Sequence, residues 1–333
     1  MTALEREVSD EEDLAIEMGS PYDMNVTGGD LVITNAGLTG TLESVTVKDM
    51  EITLDGATLA NGVLTVPATA FRMDTMPSGR LTLTVTTNTK TVEVSGNFIW
   101  VINNASELLK MKNHLIVDGT IYTGSLALGA NIDLTGVTIK NSGLTNTTFD
   151  GEFDGRLYTL SNLRANTGNV GLFANVSGIV KNLIVTDATV SSYTAAVVGG
   201  SLTGKLENIY VKGSITADGM AATSNLANFG SGLLVGRIQS DAEISSCIVE
   251  ITSIADGLRL ATAFGKLHGA TATESVFANC YAVNAGGCTY MPYNQGWVKQ
   301  SFITGGTNKN FADISVLLSD SVASKLAELL GLC

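Results

Sequence analysis

From Asp30 to about Val101, apolar residues alternate with threonines and other polar residues at a period of two. Val45-Thr46-Val47, Leu64-Thr65-Val66, Leu81-Thr82-Leu83-Thr84-Val85 and Val92-Glu93-Val94 each place their apolar side chains on one face, which is the pattern of a half-buried strand. Asp55-Gly56, Asn61-Gly62 and Pro77-Ser78-Gly79 interrupt the alternation with residues that supply turn conformations. Short strands with a turn signal every 8–12 residues or about that predict a small sandwich. A Cys-Trp-Cys core is missing, so the pattern implies an Ig-like architecture in general terms only.

The pattern then changes. Asn103-Asn104-Ala105-Ser106-Glu107-Leu108-Leu109-Lys110-Met111 predicts one short helix, with Asn104 as its cap and Glu107 reaching back to the cap. Such a helix can cover the unpaired strand edges of a stacked repeat. A weak repeat follows, in which a small polar residue precedes an apolar one: Asn162-Leu163, Asn182-Leu183, Asn208-Ile209, Ser246-Cys247 and Asn279-Cys280. The intervals are 20, 26, 38 and 33 residues. Glycines recur upstream, as in Gly171-Leu172-Phe173 with Gly178, Gly199-Gly200 with Gly204, and Gly232-Leu233-Leu234-Val235-Gly236. The first two intervals suit one coil of a parallel β-helix of roughly 20–30 residues, and loop insertions would lengthen the others. Stacked coils of this kind bury inward apolar positions and let polar Asn side chains form ladders along the stack.

Phe149-Asp150-Gly151-Glu152-Phe153-Asp154-Gly155, followed by Leu157-Tyr158-Thr159-Leu160-Ser161-Asn162-Leu163, resembles the FxGxFDG…xIxNL segment that opens many bacterial β-helix proteins. The Gly171-Leu172-Phe173 and Gly232–Gly236 segments resemble the GLUG repeat of the same group, and the similarity spans about residues 98–285. The resemblance implies a right-handed parallel β-helix. It also implies a surface, adhesin-like or phage structural role, because the group occurs in such proteins. Fold alone does not assign an activity.

The expected organisation is therefore all-β, with short capping helices. An acidic leader or anchoring arm covers 1–21, an Ig-like β-sandwich 22–100, a right-handed parallel β-helix 101–312 and a C-terminal helix 313–333. In the last segment Val322, Leu326, Leu329 and Leu330 make an apolar stripe that Gly331 can terminate, suiting a cap or an oligomerisation helix. In the leader, seven acids stand against the single base Arg6, and Ser9-Asp10-Glu11-Glu12 predicts a short helix over 10–18.

Composition sharpens the class. Charged residues make up 15% of the chain and the net charge is −13. An acidic chain repels phosphate backbones, so nucleic acid is not an expected partner. No basic start with an apolar run marks a signal peptide, and no apolar stretch of about 18 residues could cross a membrane. Synthesis in a host cytoplasm without standard export is the resulting expectation, and it favours the virion over the bacterial surface.

Chemistry is sparse. Asp150, Glu152 and Asp154 are the best acid/base candidates, since carboxylates held roughly 5–9 Å apart can cleave sugar linkages. Both aspartates precede a glycine, where Asp commonly bonds its own turn, and the turn reading is favoured; no catalytic residue is assigned. His114 and His268 have no partner histidine at ligand spacing, so neither a metal nor another cofactor is expected. Cys247 and Cys280 take the place of inward apolar residues and suit a reduced core, whereas nothing beside Cys288 or Cys333 activates a thiol. The aromatic segment around Tyr290, Tyr293 and Trp297 is the one ligand-site candidate, because aromatics beside amides can stack on sugars.

These readings converge on a non-enzymatic attachment protein of a phage virion, such as a head fibre, spike or decoration protein. Its expected partners are capsid proteins, met through the leader, and a host-surface glycan; its expected state is a homotrimer. A bacterial cell-surface adhesin is the alternative, and a polysaccharide-degrading enzyme is third.

Overall fold

The computed structural model describes residues 14–25, 28–73, 75–110, 121–139, 145–165, 171–191, 196–216, 231–239, 241–254, 261–262, 264–267, 277–278 and 280–284. The chain is all-β in class: among these residues the only helices are α1 (Ala105–Lys110) and a 3-10 turn at Ala68–Ala70. It divides into two compact units, residues 1–100 and 101–333. The expected helix over 313–333 lies outside the described residues.

In the first unit, β1 (Leu14–Glu17), β2 (Tyr22–Met24), β3 (Leu31–Thr34), β4 (Leu42–Val47), β5 (Ile52–Thr53), β6 (Thr58–Ala60), β7 (Val63–Val66), β8 (Gly79–Thr87) and β9 (Thr91–Ile102) follow one another. One sheet pairs β3, β7 and β6 antiparallel. The other pairs β5, β4, β8 and β9 antiparallel, with β1 and β2 added parallel to β9. Ala60 pairs with Val63, and Asn61 and Gly62 between them both take positive φ. Asn-Gly supplies that pair of conformations without a Cβ clash at the second position. Alternation buries Val45, Val47, Leu64, Val66, Leu83, Val85, Val92 and Val94, the faces that the period-two pattern predicts. Tyr22, Phe71 and Phe98 pack as a tilted cluster, and the buried Trp100 indole donates to the Met76 carbonyl at 2.8 Å.

The helix expected over 10–18 is corrected. Leu14–Glu17 is a strand, in register with Val92–Ser95, and Arg80 binds Glu17 through two hydrogen bonds of 2.8 and 2.7 Å. The capping signal lost because Leu14-Ala15-Ile16-Glu17 also alternates, and an open edge of β9 rewards extended backbone with a ladder of hydrogen bonds.

The second unit opens with α1. Asn104 caps it, its Oδ1 accepting from the Glu107 N–H at 3.0 Å. Glu107 returns a bond to the N–H of Asn103 at 2.7 Å and accepts one from the Asn104 side chain at 2.8 Å, so the box closes one residue earlier than the sequence motif implies. Among the described residues, the strands that follow form four long parallel ladders, and Ser231–Gly232 pairs parallel with Ala261–Thr262 in a short fifth. The first runs through Ile121–Tyr122, Thr145–Phe149, Phe173–Val176, Gly199–Leu202, Val235–Ile238 and Lys266–Leu267. The second takes Ser125–Leu128, Glu152–Asp154, residues 179–181, 205–207, Glu243–Ser245 and Phe277–Ala278. The third takes Ile132–Asp133, Thr159–Ser161, 184–186, 210–212, 248–250 and Tyr281–Asn284. The fourth takes Thr138–Ile139, Arg164–Ala165, 189–190, 214–215 and 253–254. The chain visits the ladders in this order, which gives six coils among the described residues, the sixth described in the first three ladders. Phe153, Val180, Leu206 and Ile244 are buried at equivalent rungs of the second ladder, and Leu160, Val185, Val211 and Val249 at those of the third.

Two columns explain the repeat. Asn182, Asn208 and Ser246 share one corner, each with φ between 52° and 54°, and Leu183, Ile209 and Cys247 after them are buried. Asn162 also has positive φ, but it stands at a different corner, opposite Asp187, because Ser161 pairs with Thr186 and Arg164 with Thr189. The corner below Asn182 is instead the turn 155–158, where Arg156 and Leu157 take positive φ. The first coil interval, Phe153 to Val180, is thus 27 residues rather than 20. The second coil has such bends at Arg156-Leu157 and at Asn162, and the third at Asn182 and at Asp187, so Asn-Leu recurs at non-equivalent bends. Asn279 lies outside the described residues. The second column is glycine: a Cβ on Gly151, Gly178 or Gly204 would lie 2.1, 2.0 or 2.1 Å from the carbonyl oxygen of Gly124, Gly151 or Gly178 respectively. Only a residue without a side chain lets neighbouring coils approach so closely there.

Candidate functional site

The three acids singled out in the sequence lie on or beside the outer face of the second ladder. Phe153 points inward while Glu152 and Asp154, flanking it, remain partly exposed. Lys181, directly above Asp154 in register, forms an ion pair with Glu152 at 2.9 Å and lies 4.0 Å from Asp154. Asp154 Oδ1 accepts from the Arg156 N–H at 2.8 Å and from the Asn182 side chain at 3.0 Å. Asp150 accepts from the Ser177 hydroxyl at 2.8 Å, across to the next coil. Each acid is therefore committed to a turn or to the neighbouring coil. The arrangement binds coil to coil. One coil further on, Lys205 and Glu207 continue the charged face at 3.0 Å. Ion pairs this exposed add little to stability.

A second cluster escaped the sequence reading. Tyr210 and Glu250 are buried, and the Tyr210 hydroxyl donates to Glu250 Oε2 at 2.5 Å while Lys212 Nζ lies 3.0 Å from Glu250 Oε1. Register brings them together: Tyr210 pairs with Ile248 and Lys212 with Glu250 on adjacent coils. Burial, then the bond to Glu250, and then the negative charges of Glu250 and Asp187 push the Tyr210 phenol far above its ordinary range. The cluster is one carboxylate, one phenol and one ammonium that satisfy one another, as a buried charge requires. The available signal was Glu250 standing alone within the apolar run Cys247-Ile248-Val249-Glu250-Ile251.

Polar ladders complete the outer surface. Asn208 donates to Asn182 at 3.2 Å, and Asn162 donates to Asp133 at 2.8 Å. Asp133 also accepts from the Thr135 N–H and hydroxyl; the Asn162 bond first and the Thr135 bonds next hold its carboxyl below the usual value. Inside the coils, Cys247 and Cys280 are fully buried and not joined by a disulfide. They occupy the column of Leu183 and Ile209, as the repeat predicts, but not that of Leu163.

Tyr290, Tyr293 and Trp297, with His114, His268, Cys288 and Cys333, lie outside the described residues. Among the described residues, no three His, Cys, Asp or Glu side chains group to hold a metal ion, and no helix is long and apolar enough to cross a membrane. No protein-family profile, curated protein or solved structure matches the chain.

Proposed function

We propose that the first unit is an Ig-like β-sandwich, that the second is a right-handed parallel β-helix, and that the protein is a non-enzymatic attachment component of a phage virion. The strand pairing supports the first assignment. Read as B, C, C′, D, E, F and G, strands β3 to β9 pair as B–E–D and as C′–C–F–G, the division of an immunoglobulin domain. Five passes through the same four parallel ladders, and a sixth through the first three, support the second, because stacked coils pair each backbone edge with its neighbour and bury a continuous core.

The observation that carries the functional reading is the use made of outward polar groups. Asp154, Asn182 and Asn208 bond to one another from coil to coil, and Asp150 and Glu152 do the same. A surface whose acids are consumed in self-stacking suits a durable attachment module better than a polysaccharide-cleaving cleft. Host-surface glycan is the expected ligand, with Tyr290, Tyr293 and Trp297 as its proposed contacts, and a homotrimer the expected state. The test is the protein composition of purified particles from the phage that encodes the chain, together with the absolute mass of the purified protein. Its presence in particles, lost on deleting residues 1–13, is the expected result. Its absence from particles and exposure on bacterial cells would favour the adhesin reading instead.

A further inference from the structure

We infer that Cys247 and Cys280 are a latent interior staple, able to form a disulfide that ties the fifth coil to the sixth. Ser245 pairs with Ala278 and Ile248 with Tyr281, which sets Cys247 directly beneath Cys280 in neighbouring parallel passes. In-register neighbours stand about 4.8 Å apart at Cα, within the roughly 4.4–6.8 Å that a disulfide spans. Both side chains point into the core and are fully buried. Cys247 donates to the Ser245 carbonyl at 3.2 Å and Cys280 to the Ile244 carbonyl at 3.4 Å, and the two thiols lie within hydrogen-bonding reach of each other.

Position relative to the strands favours closure. Residues 246 and 247 fall between Glu243–Ser245 and Ile248–Ile254, at the bend where Ser246 takes φ 52°, rather than within a strand. Burial and the neighbouring Cys280 thiol, which lies within hydrogen-bonding reach, keep the Cys247 thiol protonated. A protonated thiol is a poor nucleophile, so the pair stays reduced in a closed fold and in a reducing compartment. Oxidation needs the outer coil to open briefly and admit a two-electron oxidant. With a diazene such as diamide, the Cys247 sulfur adds to one nitrogen and the Cys280 sulfur displaces it. The S–S bond forms, both S–H bonds are lost, and the diazene leaves as the hydrazine carrying two added hydrogens. The cross-link closes a loop of 33 residues and restrains unzipping from the last coils. This inference rests on strand register alone and is independent of the virion assignment.

The experiment oxidises the full chain carrying Cys288→Ser and Cys333→Ser with diamide under native conditions. The expected result is a mass loss of two hydrogen atoms, a peptide joining Cys247 to Cys280, and a rise in the thermal midpoint of about 4 °C or more that dithiothreitol reverses. Cys280→Ala should abolish the rise, and if that variant does not fold, the reversible shift in the parent chain decides. Thiols that resist diamide until global unfolding would overturn the inference. So would a midpoint lowered by oxidation, which would show that the bond strains the coils.

Discussion

The side-chain amide of Asn208 donates to Oδ1 of Asn182, 3.2 Å away on the adjacent coil, and Asn182 in turn donates to Asp154. Both asparagines sit at positive φ. One residue type thus meets two demands at the same corner, a left-handed backbone and a side chain that bonds along the stack. The two demands can be separated by substitution. Asn182→Ala should lower unfolding free energy by about 2–4 kcal/mol, combining backbone strain with two lost hydrogen bonds. Asn182→Gly keeps the backbone region open and should lose about half as much. Urea unfolding of both variants checks the order; equal losses would show that the left-handed backbone contributes nothing, and an unchanged Asn182→Gly that the ladder bonds contribute nothing.

The glycine column makes a harsher prediction. A Cβ at Gly178 would lie 2.0 Å from the Gly151 carbonyl oxygen, which is backbone and cannot swing aside, whereas Gly19 has nothing within 4 Å. Gly178→Ala should cost about 3 kcal/mol or more by forcing coils apart. Gly19→Ala should stay within about 0.5 kcal/mol of the parent. Thermal midpoints of the two variants provide the comparison.

The phenols give a pH dependence. Burial first, and then the charges of Asp30 and Asp23, raise Tyr22 to about 12, and Tyr210 is raised still further in direction. A phenol whose folded pKa exceeds its unfolded value near 10 favours the folded state while it remains protonated. Its contribution is complete below pH about 10 and is lost as pH climbs from there towards 12 and beyond for Tyr22. Alkaline unfolding should therefore begin near that pH and be accompanied by phenolate absorbance. In Tyr22→Phe the onset should move to higher pH. An unchanged alkaline profile in that variant would refute the assignment to Tyr22.

Glu250 tests the buried cluster. Glu250→Ala removes the partner of both the Tyr210 hydroxyl and the Lys212 ammonium and should destabilise by roughly 3–5 kcal/mol, as breaking a buried pair does. A triple change, Glu250→Ile with Lys212→Thr and Tyr210→Phe, should recover much of that loss, because it leaves no buried polar group without a partner. Denaturation midpoints decide, and a tolerated Glu250→Ala would mean that the cluster is dispensable to folding.

The strand in the acidic segment refines where the chain can be trimmed. Removing residues 1–13 should leave the thermal midpoint unchanged. Removing residues 1–20 takes away β1 with its pairing to Val92–Ser95 and the Arg80–Glu17 contact, and should lower the midpoint by several degrees, about 4–8 °C per kcal/mol for a unit of this size. Similar midpoints for the two truncations would show that β1 adds no stability.

Much of this protein follows from local pattern. Period-two alternation places β4, β7, β8 and β9, because residues i and i+2 of an extended chain share a face whatever lies opposite. Asn61-Gly62 specifies its hairpin, and Asn104 with Glu107 specifies α1, since each device closes within a few residues. The recurrence of a polar residue before a buried one is legible too, because three successive coils repeat the same bend at Asn182, Asn208 and Ser246. Register is where local information ends. Asn162-Leu163 and Asn182-Leu183 are alike as dipeptides, yet only the pairing of Ser161 with Thr186 shows that they occupy different corners. Leu14-Ala15-Ile16-Glu17 reads equally as helix or strand until the open edge of β9 decides. Tyr210, Lys212 and Glu250 are distant in sequence and meet through the pairing of adjacent coils. Cys247 and Cys280 were placed in one column by the repeat, but it took the flanking pairs, Ser245 with Ala278 and Ile248 with Tyr281, to set one beneath the other. Conformation at a bend is a property of a few bonds, whereas the partner across a ladder depends on loop lengths summed over a whole coil, and only the folded chain performs that sum.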